Sequence, residues 1–134
     1  MKKVKMEITI ERYIAYADLS TEIKGKIQGR HHEIQRGKES INTTYIKALK
    51  HGLEHLTESV ELTIIVPPGY LYSSLQVLEK WNENGYITGK GTKVKYADEW
   101  QEIQNMLSEC IYKVEIKEKD KKEKNDGKTE RVEQ

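Results

Sequence analysis

The segment from residue 51 to 55 carries an H-x-x-E-H motif made of His51, Glu54 and His55. Zinc enzymes can present two ligating imidazoles and a carboxylate from one helix at this spacing. A catalytic zinc site also needs a third protein ligand and a walled pocket. The apolar residues at helical spacing here predict the buried side of a helix, and they are Ile46, Leu49, Leu53 and Leu56. The motif lies on the opposite side, so we interpret it as a solvated helix face.

A second group with chemical potential is a cationic stripe between residues 24 and 32. Alternation predicts that one strand face carries its members, which are Lys24, Lys26, Gln28, Arg30 and His32. Ile23 and Ile27 fall on the other face. Such a stripe would suit a phosphate backbone or an acidic protein. The alternative is edge protection, because lysines on an exposed strand deter aggregation. The pattern leaves both interpretations open, with a slight preference for binding.

A third group is a basic loop, residues 86–95, which carries Lys90, Lys93 and Lys95. The aromatic residues that flank or begin this loop are Trp81, Tyr86, Tyr96 and Trp100. Interleaved lysines and aromatics suit phosphate contact and base stacking. The alternative is structural: the two tryptophans fall at helical core positions, where they would pack together. The acids near the loop, which offset its charge, are Glu79, Glu83, Asp98 and Glu99.

Composition limits the classes of protein to consider. The chain has 134 residues, enough for one domain, with 34% charged residues and a formal net charge of +1. Strong generic attraction to nucleic acid is therefore not expected from the total charge, and any such binding must come from local patches. No apolar run is long enough for a membrane span. The single cysteine, Cys110, excludes an internal disulfide, so we expect a cytoplasmic protein. We interpret Cys110 itself as a small apolar residue rather than a nucleophile.

Hydrophobic patterning predicts the elements that must position these groups. Period-two alternation or apolar runs predict strands at about residues 4–10, 13–19, 23–34, 60–66 and 110–117. The run from Val60 to Val66 is typical of a strand covered on both faces. Helical spacing predicts one helix after the third strand and two or three between the last two strands. Short early connections suggest antiparallel pairing, and the later crossovers suggest parallel pairing.

The boundaries follow from local signals. Asn42, Thr43 and Thr44 predict the N-cap region of the first helix. Residues 117–134 are almost entirely polar and cannot bury enough apolar surface to offset the entropy of ordering, so we predict a charged disordered tail. The ordered domain is then expected over residues 1–116.

One stretch resembles the ribonuclease H family. The run from Leu78 to Leu107 has Trp81, Gly85, a basic loop, Val94-Lys95, Asp98 and Trp100 at the spacing of the family's helix–loop–helix. The resemblance covers about residues 4–116 and is most specific between Trp81 and Leu107. It implies an α/β fold with a mixed five-stranded sheet, three antiparallel strands followed by two parallel ones, flanked by helices. Members of that family cleave the RNA strand of RNA–DNA hybrids.

The resemblance also implies where metal ligands would lie. The family holds two Mg²⁺ ions with acidic residues from the first strand, the first long helix, the end of the fourth strand and a last helix. The corresponding positions here are Glu11, Tyr45 and Pro67, and the last acid has no clear counterpart. Asp18 offers a different alignment of the first strand. Asp120 and Asp126 could be proposed for the last position, but nothing in the sequence fixes them in space.

The sequence therefore predicts a ribonuclease H-like domain without a working metal site. We expect a non-catalytic nucleic-acid-binding or accessory module that contacts an RNA–DNA hybrid or duplex. Its candidate contacts are Lys24, Lys26, Arg30, Lys90, Lys93 and Lys95. No cofactor is expected. The alternatives are a divergent nuclease that uses Mg²⁺ with Glu11 or Asp18, and a protein-interaction module.

Overall fold

Five strands form one mixed sheet, which the computed structural model describes over residues 2–11, 14–35 and 40–117. The strands are β1 (Lys3–Glu11), β2 (Ile14–Ile23), β3 (Lys26–Gln35), β4 (Glu61–Val66) and β5 (Ile111–Ile116). Their order in the sheet is β3-β2-β1-β4-β5. The pairs β1–β2 and β2–β3 are antiparallel, and β1–β4 and β4–β5 are parallel. The predicted fold class is confirmed.

Three helices connect the later strands, namely α1 (Ile41–Glu54), α2 (Tyr70–Asn84) and α3 (Ala97–Leu107). Alternation places Met6 and Ile8 of β1 and Ile64 of β4 on one sheet face, and all three are fully buried. Leu49 of α1 and Trp100 of α3 belong to the same core. No helix in the described ranges is long and apolar enough to cross a bilayer.

The opposite sheet face, which we call the open face, is only partly buried. In β4 the residues pointing there are Thr63 and Ile65, which are half-buried, whereas Leu62, Ile64 and Val66 are buried. The prediction that this strand is covered on both faces was therefore wrong. Its apolar composition reflects close packing on one side together with a single apolar residue, Ile65, on the other.

The boundary between the second and third strands also differs from the prediction. Ile23 belongs to β2, and Lys24 and Gly25 form the turn that leads into β3. Both turn residues have positive φ, 51° and 80°, as in the tight type I′ turn of a two-residue hairpin. Lys24 is therefore not part of the strand face on which the stripe was predicted. Gly25 permits this turn, because glycine adopts a positive φ without steric cost.

The start of α1 is capped by Ser40, two residues before the predicted Asn42 region. The Ser40 hydroxyl accepts a hydrogen bond from the Thr43 amide at 3.3 Å, which satisfies one of the free amides of the first turn. The helix then packs closely on the sheet at Gly52. A methyl group at this position would collide with the Met6 sulfur and would lie 3.3 Å from Ala17 Cβ.

Candidate functional site

The carboxyl ends of β1 and β4 and the start of α1 lie at one end of the sheet, and we call this region the mouth. The β1–β4 register pairs Glu7 with Ile65, and continued by two residues it brings Thr9 level with Pro67. Lys117 follows β5, where its amide donates to the Val66 carbonyl at 2.6 Å. Its ammonium lies 2.6 Å from Glu7 Oε2 and donates to Thr9 Oγ1 at 2.9 Å. A protein cation thus lies between the two strand ends.

The positions implied by the family resemblance do not bring acids together here. Glu11 lies at the exposed end of β1. Tyr45 lies early in α1 and packs against the core, and this burial raises the pKa of its phenol, which is therefore neutral near pH 7. Pro67 offers no side-chain ligand. Within residues 2–11, 14–35 and 40–117, no three carboxylates approach closely enough to share an ion.

Asp18, the alternative position for the first acid, lies on the open face of β2. It is level with Glu7 of β1 and His31 of β3. Its carboxylate pairs with the His31 Nδ1 atom, while His31 Nε2 lies 3.8 Å from Glu33. The Tyr16 ring stacks obliquely on His31 with centroids 4.8 Å apart. Asp18 is therefore engaged by a histidine. Asp120 and Asp126 lie outside the described residues.

The cationic stripe lies on β3, an edge strand of the sheet. Lys26, Gln28 and Arg30 are exposed there, with Lys24 in the adjacent turn. Ile27, which points to the other face, is 77% exposed. The exposed cations are available to a partner, and they also border an unpaired strand edge.

The basic loop is a compact structure held by its own hydrogen bonds. Ile87 and Lys93 form an antiparallel bridge, and the Thr88 amide donates to the Thr92 carbonyl at 2.7 Å. Buried Tyr86 and Val94 anchor the base of the loop in the core. The three lysines remain exposed, although the Lys93 ammonium lies 3.4 Å from Asp98. The loop therefore presents cations from a fixed frame.

The two tryptophans join the helices on either side of this loop. Trp100 is fully buried, and its ring centroid lies 6.1 Å from that of Trp81. The Trp100 indole nitrogen donates to the Tyr70 hydroxyl at 3.1 Å. Trp81 is only partly buried, so the expectation of two mostly buried indoles is met fully by Trp100 and partly by Trp81.

Three histidines form a cluster that pattern analysis did not assemble. His51 and His55 of the H-x-x-E-H motif meet His32 of β3, and one nitrogen from each lies within 4.8 Å of the others. Burial, followed by the charges of His55 and His51, holds the pKa of His32 below its usual value. The motif is therefore not simply a solvated face. Only the β3–β2–α1 packing reveals the third member, since His32 is distant in sequence.

Comparison with solved structures identifies the fold as ribonuclease H-like. The chain superposes on LC9-RNase H1, a type 1 RNase H with the type 2 active-site motif, with a TM-score of 0.70 and 11% identity over 87% of this chain and 63% of that one. The PFV RNase H domain gives 0.64 and 17% over 85% and 78%. A foamy viral protease-reverse transcriptase bound to an RNA/DNA hybrid gives 0.66 and 16% over 86% and 17%.

These likenesses establish a ribonuclease H-like fold and nothing finer, because the identities are low. The chain spans about a sixth of the foamy viral protein and under two thirds of LC9-RNase H1. No protein-family model matches the sequence, and no curated protein matches it.

Proposed function

We propose that this ribonuclease H-like domain is a non-catalytic nucleic-acid-binding or accessory module that has lost the two-metal nuclease site. The observation that carries the proposal is the Lys117 ammonium at the mouth, 2.6 Å from Glu7. An ammonium group neutralises the nearby carboxylate and repels a divalent cation from the same space. A two-metal site instead requires several acids with free oxygens.

The other implied ligand positions support the same proposal. Tyr45 is a neutral phenol packed on the core, and Pro67 has no ligand atom. The nuclease alternative would need Glu7, Glu11 or Asp18. Glu7 is paired with Lys117, and Asp18 is paired with His31. Only Glu11 lies at the mouth without an ion pair among the contacts described, and one carboxylate cannot hold two ions.

Binding to nucleic acid is supported by two exposed cationic surfaces. One is the stripe with its neighbouring turn, which carries Lys24, Lys26 and Arg30, and the other is the basic loop with Lys90, Lys93 and Lys95. A rigid loop loses little conformational entropy when it binds. The foamy viral structure with the same fold was solved with an RNA/DNA hybrid, which makes a hybrid a suitable first ligand to test.

A salt titration tests this proposal. Replacing Lys26 and Arg30 with Gln should lower the slope of log K against log salt by roughly 1.8 on a DNA duplex, since each lost phosphate contact lowers it by roughly 0.9. The loss of affinity should be similar for every sequence tested, because phosphate contacts carry no base information. Fluorescence anisotropy with labelled duplex and hybrid measures both quantities.

The matched control replaces Lys80 of α2 and Lys113 of β5, two exposed lysines that belong to neither surface, with Gln. It removes the same charge and should leave the slope nearly unchanged. An unchanged slope in the Lys26/Arg30 variant, together with increased aggregation, would assign the stripe to edge protection instead. If Lys90→Gln with Lys93→Gln also leaves the slope unchanged, nucleic-acid binding is refuted and a protein-interaction module is favoured.

A further inference from the structure

We infer that His32, His51 and His55 bind one divalent transition-metal ion, such as Zn²⁺, Ni²⁺ or Cu²⁺, that clips edge strand β3 to the end of α1. The three side chains come from two elements and offer ligand nitrogens within 4.8 Å of one another. Within the described part of the chain, no other group of three or more potential metal ligands lies this close together. The inference is independent of the proposed function.

Helix geometry pre-arranges two of the ligands. His51 lies in the last turn of α1 and His55 is the residue that caps it, so the two imidazoles are one turn apart on the same face. Their ring centroids are 4.6 Å apart. The last carbonyl groups of a helix carry partial negative charge, which favours a cation at this end. Residues four apart on a helix thus form a ready-made chelating pair.

A hydrogen bond shows which ring nitrogen of His55 carries a proton. Its Nδ1 atom lies 2.8 Å from the His51 carbonyl oxygen, which can only accept, so Nδ1 carries the proton. In the neutral imidazole, the Nε2 atom then keeps its lone pair, which is available to a metal. Metal-ligating histidines are commonly held in this way, with the second ring nitrogen donating to a backbone carbonyl.

The third ligand has an unexplained buried nitrogen. The Nε2 atom of His32 is buried and has no hydrogen-bond partner among the described residues. A buried ring nitrogen without a partner is costly unless something binds it. The His32 ring lies 3.9 Å from that of His55 and 5.4 Å from that of His51, measured between centroids. A bound ion would supply the missing partner.

The three ligand nitrogens need to move only slightly closer together to coordinate one ion. Tetrahedral coordination with Zn–N bonds of about 2.0–2.1 Å places ligand atoms about 3.3 Å apart, against 4.8 Å or less here. Imidazole ligands suit Zn²⁺, Cu²⁺ and Ni²⁺ rather than Mg²⁺, which prefers oxygen. Three protein ligands leave the fourth position to solvent. At 1.5 Å per residue, His55 lies about 15 Å along α1 from Tyr45, so this site is separate from the mouth.

A titration of the tag-free chain of 134 residues with Zn²⁺ against a chromophoric chelator tests the inference. We expect one ion per chain and a rise in melting temperature that EDTA reverses. His32→Gln, His51→Gln and His55→Gln should each weaken binding at least tenfold. His31→Gln is the matched control, because it removes the one histidine of the sequence that lies outside the cluster. His31 points to the open face and pairs with Asp18. This variant should bind as tightly as wild type.

Copper resonance provides a readout that needs no variant. The electron paramagnetic resonance spectrum of the wild-type chain with one equivalent of Cu²⁺ should carry hyperfine structure from three imidazole nitrogens. Fewer than three nitrogens, a stoichiometry other than one, or a loss in His31→Gln equal to that in His55→Gln would overturn the inference. Circular dichroism of each variant checks that weakened binding does not reflect unfolding.

Discussion

The purified chain is expected to leave the RNA strand of an RNA–DNA hybrid uncut with either Mg²⁺ or Mn²⁺. The reason is the chemistry of the mouth, where a partly buried tyrosine and a proline stand at two of the positions that would need carboxylates. The Lys117 ammonium also pairs with Glu7 close by. Two-metal cleavage depends on charge stabilisation by both ions, so their loss should reduce the rate by many orders of magnitude. Gel analysis of a labelled hybrid over hours measures this.

Contamination by a host nuclease is the main risk, and the double variant Glu11→Gln with Asp18→Asn separates the two cases. Cleavage that persists in this variant comes from a contaminant, whereas cleavage abolished by it would contradict the proposed function. Restoration offers a positive test. Tyr45→Glu with Pro67→Asp and Lys117→Gln should bind Mn²⁺ more tightly than wild type, while Tyr45→Gln with Pro67→Asn and Lys117→Gln, which adds no charged ligand, should not.

Truncating Trp100 to Ala should lower the free energy of unfolding by about 3–5 kcal/mol, as for large aromatic core residues. The indole is fully buried between α2 and α3, and the variant also leaves the Tyr70 hydroxyl without its donor. Denaturant unfolding measures the change. Because a domain of this size is stable by only about 5–15 kcal/mol, a loss this large is a substantial fraction of the total.

Trp81→Ala is the natural comparison, because this indole is only partly buried. It should cost clearly less than Trp100→Ala. Equal losses would mean that Trp81 contributes as much to the core as its neighbour. If small-molecule quenchers reached both indoles freely, the pair would be a binding surface and the packing role assigned to Trp100 would be wrong.

The fold was largely predictable because its signals are local. Alternation in β1 and helical spacing in α1 each report which side of an element is buried, and the apolar run of β4 indicates a strand. The errors arose where one residue type serves two purposes. Gly25 falls within the strand predicted over residues 23–34, although its positive φ completes a hairpin turn. An apolar run such as residues 60–66 does not reveal how many faces of a strand are covered.

The candidate site was less predictable because its parts meet through space. The lysine at the mouth comes from the end of β5 and reaches Glu7 across β4, a contact that no spacing rule indicates. The sequence places His51 and His55 in one motif, but we interpreted that motif as a solvated helix face and assigned His32 to the cationic stripe. His32 lies on the same face as Arg30, and only the packing of α1 distinguishes their surroundings.

The close approach of α1 to the sheet at Gly52 links the hydrophobic core to the histidine cluster. Gly52 lies between His51 and His55 in the chain and packs directly on Met6 and Ala17. The absence of a side chain at Gly52 therefore sets the distance between α1 and the sheet. Alanine would favour the helix locally, but its methyl group would push this turn of α1 away from the sheet. His32, fixed in the sheet, would not follow. The fit of three imidazoles around an ion is thus tuned by a residue that would never touch it.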